Sequence, residues 1–171
     1  GHKSALADMP PADMRRLLDT NVLGLLYLTQ TAVPHMKQQG SGHIINISSI
    51  VGERPLPTMG LYCASKTAVN FISRALRMEL RPYHIRVTTV YPGRTVSEFG
   101  DRLLGEKSTN WSSLARVPAE RVAQAITKAI RTGKPHVTIT WVDWLFVHIS
   151  RLFPGLTDWL VEFVATARQR A

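Results

Sequence analysis

Tyr62 and Lys66 stand four residues apart in a stretch that reads as helix, so their side chains share a face. A phenol beside a fixed ammonium ionises more readily, because the positive charge favours the phenolate. Moving a phenol about three pKa units towards neutrality takes roughly 4 kcal/mol of differential interaction, and one lysine supplies part of it. A tyrosine tuned in this way serves as a general acid or a general base. The pair alone is a weak signal, since a surface tyrosine packed over a lysine stem has the same spacing. Ser49 lies thirteen residues before Tyr62, where a β-branched run ends. Ligands of doubly wound sheets bind at the carboxyl ends of strands, so a hydroxyl there can hold a carbonyl oxygen. A loop or helix-capping serine is the plainer reading, and Ser48 competes for the role. Asn21 falls inside a helical pattern although asparagine is a poor helix former. It predicts a local distortion whose amide or freed backbone holds a water; a core asparagine that stabilises a kink is the alternative.

The elements that must position these residues follow from apolar periodicity and turn residues. Pro10-Pro11 starts a helix that runs to about Gln39, with Gly24 and Pro34 inside it and Gly40-Ser41-Gly42 ending it. His43 to Ser48 reads as a buried strand and Ser49 to Gly60 as loop. A helix over about 61–80 follows, then a strand from Arg86 to Tyr91 closed by Pro92-Gly93. Gly93 to Val117 is mixed and polar, 118–131 reads as helix and His136 to Trp141 as strand. The alternation predicts an α/β doubly wound, Rossmann-like parallel sheet with helical crossovers.

The chain has 171 residues, 44% of them hydrophobic and 19% charged, which suits one globular domain with a core. A single cysteine, Cys63, excludes an intrachain disulfide and points to a reducing, cytoplasmic setting. The net charge of +9 is spread along the chain, with no block of five or six like charges, so no nucleic-acid face is expected. His35, His84, His136 and His148 lack metal-ligand spacing, and no metal is expected.

Taken in order and at their intervals, Asn21-Val-Leu-Gly24, Ile45-Asn-Ile-Ser-Ser49, Tyr62-Cys-Ala-Ser-Lys66 and Tyr91-Pro-Gly93 resemble the signatures of the short-chain dehydrogenase/reductase family. The resemblance spans about residues 1–140. It implies an oxidoreductase that interconverts a secondary alcohol and a carbonyl with NAD or NADP. Tyr62 would be the acid/base. Lys66 would lower its pKa and hydrogen-bond the nicotinamide ribose. Ser49 would orient and polarise the substrate carbonyl, and Asn21 would hold a water in a proton relay to Lys66. Pro92, Gly93 and the Thr95 backbone would cradle the nicotinamide. Ser97 stands where the family often has threonine and keeps the hydroxyl. A glycine at 93 would let a planar ring approach the backbone.

The family's Gly-rich phosphate turn and the residue that selects NAD or NADP do not occur in these residues. The expectation is therefore the C-terminal catalytic part of such a domain, truncated before the first helix, with an exposed sheet edge, weak cofactor affinity and no useful activity by itself. A Gly-His tag remnant is the rival account of the first two residues. The alternative function is a catalytically incompetent fragment or interaction module that cannot hold a dinucleotide. Arg94 to Arg116, with Phe99, Leu103, Leu104, Trp111 and Leu114, reads either as a lobe closing over a lipophilic substrate or as packing against the protein body.

Residues 141–171 read as an aromatic-rich amphipathic extension holding three of the four tryptophans. Leu156, Trp159, Leu160, Phe163 and Val164 recur at helical spacing. Charges interrupt the run, so it is not a membrane span. Core or dimer packing, peripheral docking at a membrane surface and a substrate lid all fit; interfacial tryptophans with Arg151, Arg168 and Arg170 favour the membrane somewhat. A homo-oligomer is expected of the full-length protein.

Overall fold

The computed structural model describes residues 1–105 and 116–169. A two-residue strand, β1 (His2–Lys3), precedes helix α1 (Pro11–Leu18), a π-helical turn over Asp19–Leu23, and helix α2 (Gly24–Gln39). Then come β2 (Gly42–Ile47), α3 (Gly60–Leu80), β3 (Ile85–Tyr91), and the short strands β4 (Thr95–Val96), β5 (Leu104–Gly105) and β6 (Val117–Pro118). The last elements are α4 (Ala119–Thr132), β7 (His136–Thr138), α5 (Trp141–Leu152) and α6 (Pro154–Gln169).

The main sheet is parallel, in the order β2-β3-β7. Its register runs from Gly42 opposite Ile85 to Ile47 opposite Val90, and from Thr89 opposite His136 to Tyr91 opposite Thr138. Strand β3 lies in the middle, and every residue from Val87 to Tyr91 is buried, as expected of a strand covered on both faces. Its buried threonines are partnered: Thr88 donates to the Lys134 carbonyl at 2.7 Å, and Arg77 donates to the Thr89 hydroxyl at 3.3 Å. Among the described residues β2 has no strand on its other side; β1 pairs with β5 instead.

The expected first helix is divided at the π-helical turn, which contains Asn21. Pro34 does not interrupt it: α2 continues past Pro34 to Gln39 and stops at Gly40, whose φ of 72° is the left-handed conformation that glycine adopts freely. The strand predicted to reach Trp141 ends at Thr138, because Thr140 and Asp143 form a reciprocal capping box that starts α5 at Trp141. Helix α5 buries Asp143, Val147 and Ser150 against the body of the fold, while Trp141, Trp144, Leu152, Phe153, Leu156, Trp159 and Phe163 on α5, α6 and their junction are exposed. No helix among the described residues is long and apolar enough to cross a membrane. His2 is buried and lies 3.1 Å from Asp13, so it belongs to the packed structure.

Candidate active site

The site forms where β2 and β3 end against the first half of α3. Strand β2 delivers Ser48 and Ser49, and successive residues turn to opposite sides. Ser48 faces α3 and is committed there: its hydroxyl lies 2.5 Å from Asn70 Oδ1 and 3.1 Å from the Lys66 carbonyl. Ser49 is bonded elsewhere. Its hydroxyl donates to the Pro92 carbonyl at 3.3 Å and accepts from the Val51 amide at 3.3 Å, capping the turn Ile50–Gly52, and it opposes the rise in the pKa of the Tyr62 phenol. Of the two serines, Ser48 is engaged by Asn70 and the Lys66 carbonyl.

Tyr62 is buried within a cluster of Met9 and Leu17, flanked by Met14, Val51, Met59 and Leu61. Burial pushes its pKa up to about 12, the Ser49 hydroxyl acts in the opposite direction, and Cys63 adds slightly to the rise. The expected lowering by Lys66 is not what this arrangement delivers. The Lys66 ammonium sits 5.8 Å from the centre of the Tyr62 ring and donates to the Ile47 carbonyl at 3.0 Å. Desolvation of the phenol outweighs it, and burial also lowers the pKa of Lys66 itself. The resting phenol is therefore neutral.

Asn21 is brought to the same helix face, where Nδ2 donates to the Ser65 hydroxyl at 3.0 Å and Ser65 donates to the Tyr62 carbonyl at 2.7 Å. It thus ties the π-helical turn to the backbone of α3, one residue before Lys66. The distortion anticipated at Asn21 is present, and its side chain fixes α3.

Beyond β3, the Pro92 carbonyl receives both the Ser49 hydroxyl and the Ile50 amide. Thr95 donates its hydroxyl to the Gly93 carbonyl at 3.3 Å, and the Ser97 hydroxyl accepts from the Phe99 amide at 3.4 Å. Gly93 has a packing reason of its own. A Cβ there would run into the Asp143 carboxylate, with Asp143 Cγ only 2.9 Å away, so the missing side chain makes room for α5. The Phe99 ring packs on Tyr62 at 5.4 Å, and Phe99 and Leu103 crowd Gly1. These two side chains touch the protein itself and Leu104 lies in β5; Trp111 and Leu114 lie outside the described residues.

The chain matches the short chain dehydrogenase family over residues 1–107. It belongs to that family. It is 38% identical over 132 residues to an uncharacterized oxidoreductase of Methylorubrum extorquens, covering 77% of this chain and 49% of the relative. Its fold superposes on an acetoin dehydrogenase, YohF, from Salmonella typhimurium with a TM-score of 0.62 and 32% identity, covering 74% of this chain and 51% of that one. A short-chain dehydrogenase from Sphingobium yanoikuyae in complex with NADPH superposes with a TM-score of 0.76 and 25% identity, over 92% of this chain and 61% of that one. The chain spans about half the length of the curated relatives it matches.

A nicotinamide end of a dinucleotide suits these residues. Lys66 has three N–H donors and uses one on Ile47, which leaves two for ribose hydroxyls. The pyrophosphate end has no Gly-rich turn here to receive it. Sequence reasoning missed three residues that surround the site. Ser65 shares a helix face with Tyr62 at i+3, a signal that was available. Asp143 and Arg151 come from a distant helix and leave no local trace.

Proposed function

We propose that the chain is the C-terminal catalytic part of an NAD(P)-dependent short-chain dehydrogenase/reductase that interconverts a secondary alcohol and a carbonyl. Residues 1–140 supply the catalytic portion, and residues 141–171 an aromatic helical segment. The observation that carries this reading is the buried Tyr62 phenol with the Lys66 ammonium 5.8 Å from its ring centre and the Ser49 hydroxyl near enough to act on its ionisation. Two O–H groups held together in a site of this kind can both donate to one oxygen.

Bound NAD or NADP supplies the hydride chemistry. This chain's residues do the rest. In carbonyl reduction the neutral Tyr62 phenol gives its proton to the oxygen of the carbonyl as charge develops there, while Ser49 donates a hydrogen bond that orients it. In alcohol oxidation the phenolate takes the proton back, and the Lys66 ammonium stabilises that phenolate. Asn21 acts through Ser65 on the helix that carries both groups. Pro92, Gly93, Thr95 and Ser97 line the approach to the nicotinamide. The likeness to an acetoin dehydrogenase supports a small secondary alcohol or ketone as the substrate class.

The test is turnover of a panel of secondary alcohols and ketones, acetoin among them, by the product of the complete gene with NADH and NADPH. Tyr62→Phe is expected to lower kcat by about 10²–10⁴-fold with folding intact. Native turnover in that variant would end the assignment of proton transfer to Tyr62.

A second reading concerns the outer face of α5 and α6, where eight large apolar side chains between Trp141 and Trp159 are exposed, three of them tryptophans. We propose peripheral contact with a membrane surface through this face. Arg151 does not serve it as the sequence suggested, because its guanidinium turns inward to Glu53. Asp158 and Glu162 also lie on α6, and the described surface of this face is chiefly apolar, while Arg170 lies outside the described residues.

A further inference from the structure

A continuous path of hydrogen bonds runs from α5 to the backbone around Ser49 and Lys66. Arg151 grips Glu53 with two parallel bonds, Nε to Oε2 and Nη2 to Oε1, both at 2.8 Å. The Glu53 side chain is only 12% exposed and that of Arg151 45%, so a bidentate pair holds a largely buried carboxylate from a half-exposed guanidinium. Asn70, on α3, donates through Nδ2 to Glu53 Oε1 at 3.0 Å and to the Gly52 carbonyl at 3.2 Å. Its Oδ1 receives the Ser48 hydroxyl at 2.5 Å. Gly52 lies flat against the helix: a Cβ there would sit 2.9 Å from Asn70 Nδ2 and 3.0 Å from the Lys66 carbonyl carbon. Ser49 therefore sits between two anchored neighbours, Ser48 on one side and the turn Ile50–Gly52 on the other, and both anchors converge on Asn70.

Asn70 has no freedom to choose another arrangement. Its amide oxygen and nitrogen are both engaged, and its orientation is fixed by Glu53, which accepts and cannot donate while ionised. Glu53 in turn is held by Arg151. We propose that Arg151, Glu53 and Asn70 are positioning residues that hold Ser49 at the Tyr62 phenol and Lys66 at the Ile47 carbonyl, so that α5 sets the geometry of the site. This rests on the catalytic reading of Tyr62 and Ser49 given above.

The path has a consequence that simple stabilisation does not. Removing Arg151 leaves Glu53 as a mostly buried carboxylate with Asn70 as its remaining partner. The loop carrying Glu53 then moves outward towards water, taking Gly52 with it and breaking its bonds to Asn70 on α3, and Ser49 drifts from Tyr62. Displacements of this size at a reacting group lower kcat strongly.

The experiment has two readouts. The first is the 13Cζ resonance of Tyr62 in protein labelled at tyrosine, assigned by its loss in Tyr62→Phe and measured near neutral pH without cofactor. In Arg151→Met it is expected to move in the same direction as in Ser49→Ala. The second is turnover by the product of the complete gene. Arg151→Met is expected to lower kcat by about tenfold or more with KM within about twofold. Arg151→Lys keeps the charge but loses the fork, and is expected to fall between native and Arg151→Met in both readouts. Should Arg151→Met fail to fold, Arg151→Lys carries the test alone. A Tyr62 resonance unchanged in a folded Arg151 variant would overturn the proposal, as would native kcat. If Tyr62→Phe keeps full turnover, the catalytic reading falls. The resonance still decides whether Arg151 positions Ser49.

Discussion

The raised pKa of Tyr62 makes a prediction about stability that needs no substrate. An unfolded tyrosine ionises near its ordinary value of about 10, whereas burial holds this one up to about 12 in the folded chain. Between those values the folded chain keeps a proton that the unfolded chain has released. The stability Tyr62 contributes is complete below about pH 10 and is lost as pH rises through about 12. Two pKa units correspond to roughly 2.7 kcal/mol, of which about 1.3 kcal/mol disappears between about pH 9 and pH 11. Lys66, whose pKa is lowered by burial, acts in the opposite direction, and the raised pKa values of Tyr91 and Cys63 act in the same direction as Tyr62. A difference between the native chain and Tyr62→Phe isolates Tyr62. Urea unfolding followed by far-ultraviolet circular dichroism at several pH values in this range gives that difference. The native chain should lose about 1.3 kcal/mol more than Tyr62→Phe. Equal losses in the two would show that the phenol is not desolvated as the packing around Met9 and Leu17 requires.

Three further perturbations test separate contacts. Gly93→Ala should destabilise the chain by about 1–3 kcal/mol, because the new methyl meets the Asp143 carboxylate; Gly93→Ala combined with Asp143→Ala should recover part of the loss in thermal unfolding, and full additivity would exclude the clash. Asn21→Ala removes the donor to Ser65 and should cost about 1 kcal/mol in urea unfolding, with a larger proportional loss in kcat than in KM; an unchanged midpoint would mean the π-helical turn is held by other contacts. Contact of α5 and α6 with lipid predicts co-sedimentation with neutral phosphatidylcholine vesicles, with a blue shift of tryptophan emission that Trp159→Ala diminishes. Binding confined to anionic vesicles and abolished by salt would refute an apolar contact.

Most of the framework was legible because it rests on local patterns. The bounds of α3 follow from its apolar face, and β3 from a β-branched run before Pro92-Gly93. The distortion at Asn21 was announced by a residue that suits helices poorly. Other features depend on contacts between distant parts of the chain. Four-residue spacing puts Tyr62 and Lys66 on one face, but it says nothing of how much water remains there, and burial reversed the expected direction of the phenol's pKa. The role of Ser48 was not legible, because its partners, Asn70 and the Lys66 carbonyl, lie far along the chain on α3. The packing role of Gly93 was not legible either, because the carboxylate that fills its vacant side belongs to Asp143, fifty residues later.

Helix α5 shows most clearly how sequence and structure divide the information. Its charged residues look like interruptions in an aromatic run. In the fold, Asp143 caps the helix through Thr140 and fills the space beside Gly93, while Arg151 one face further on closes over Glu53. The two contacts reach both strand ends that frame the site, Gly93 after β3 and Glu53 after β2. A helix that only shielded the sheet would need its apolar side alone, and Val147 provides that. Placing a carboxylate and a guanidinium where each meets the loop of a different strand fixes the distance between those loops. On the proposal above, that distance sets where Ser49, held by the Pro92 carbonyl, lies relative to Tyr62. The polar residues of α5 are thus explained by the site, and its exposed tryptophans are left to a contact outside it.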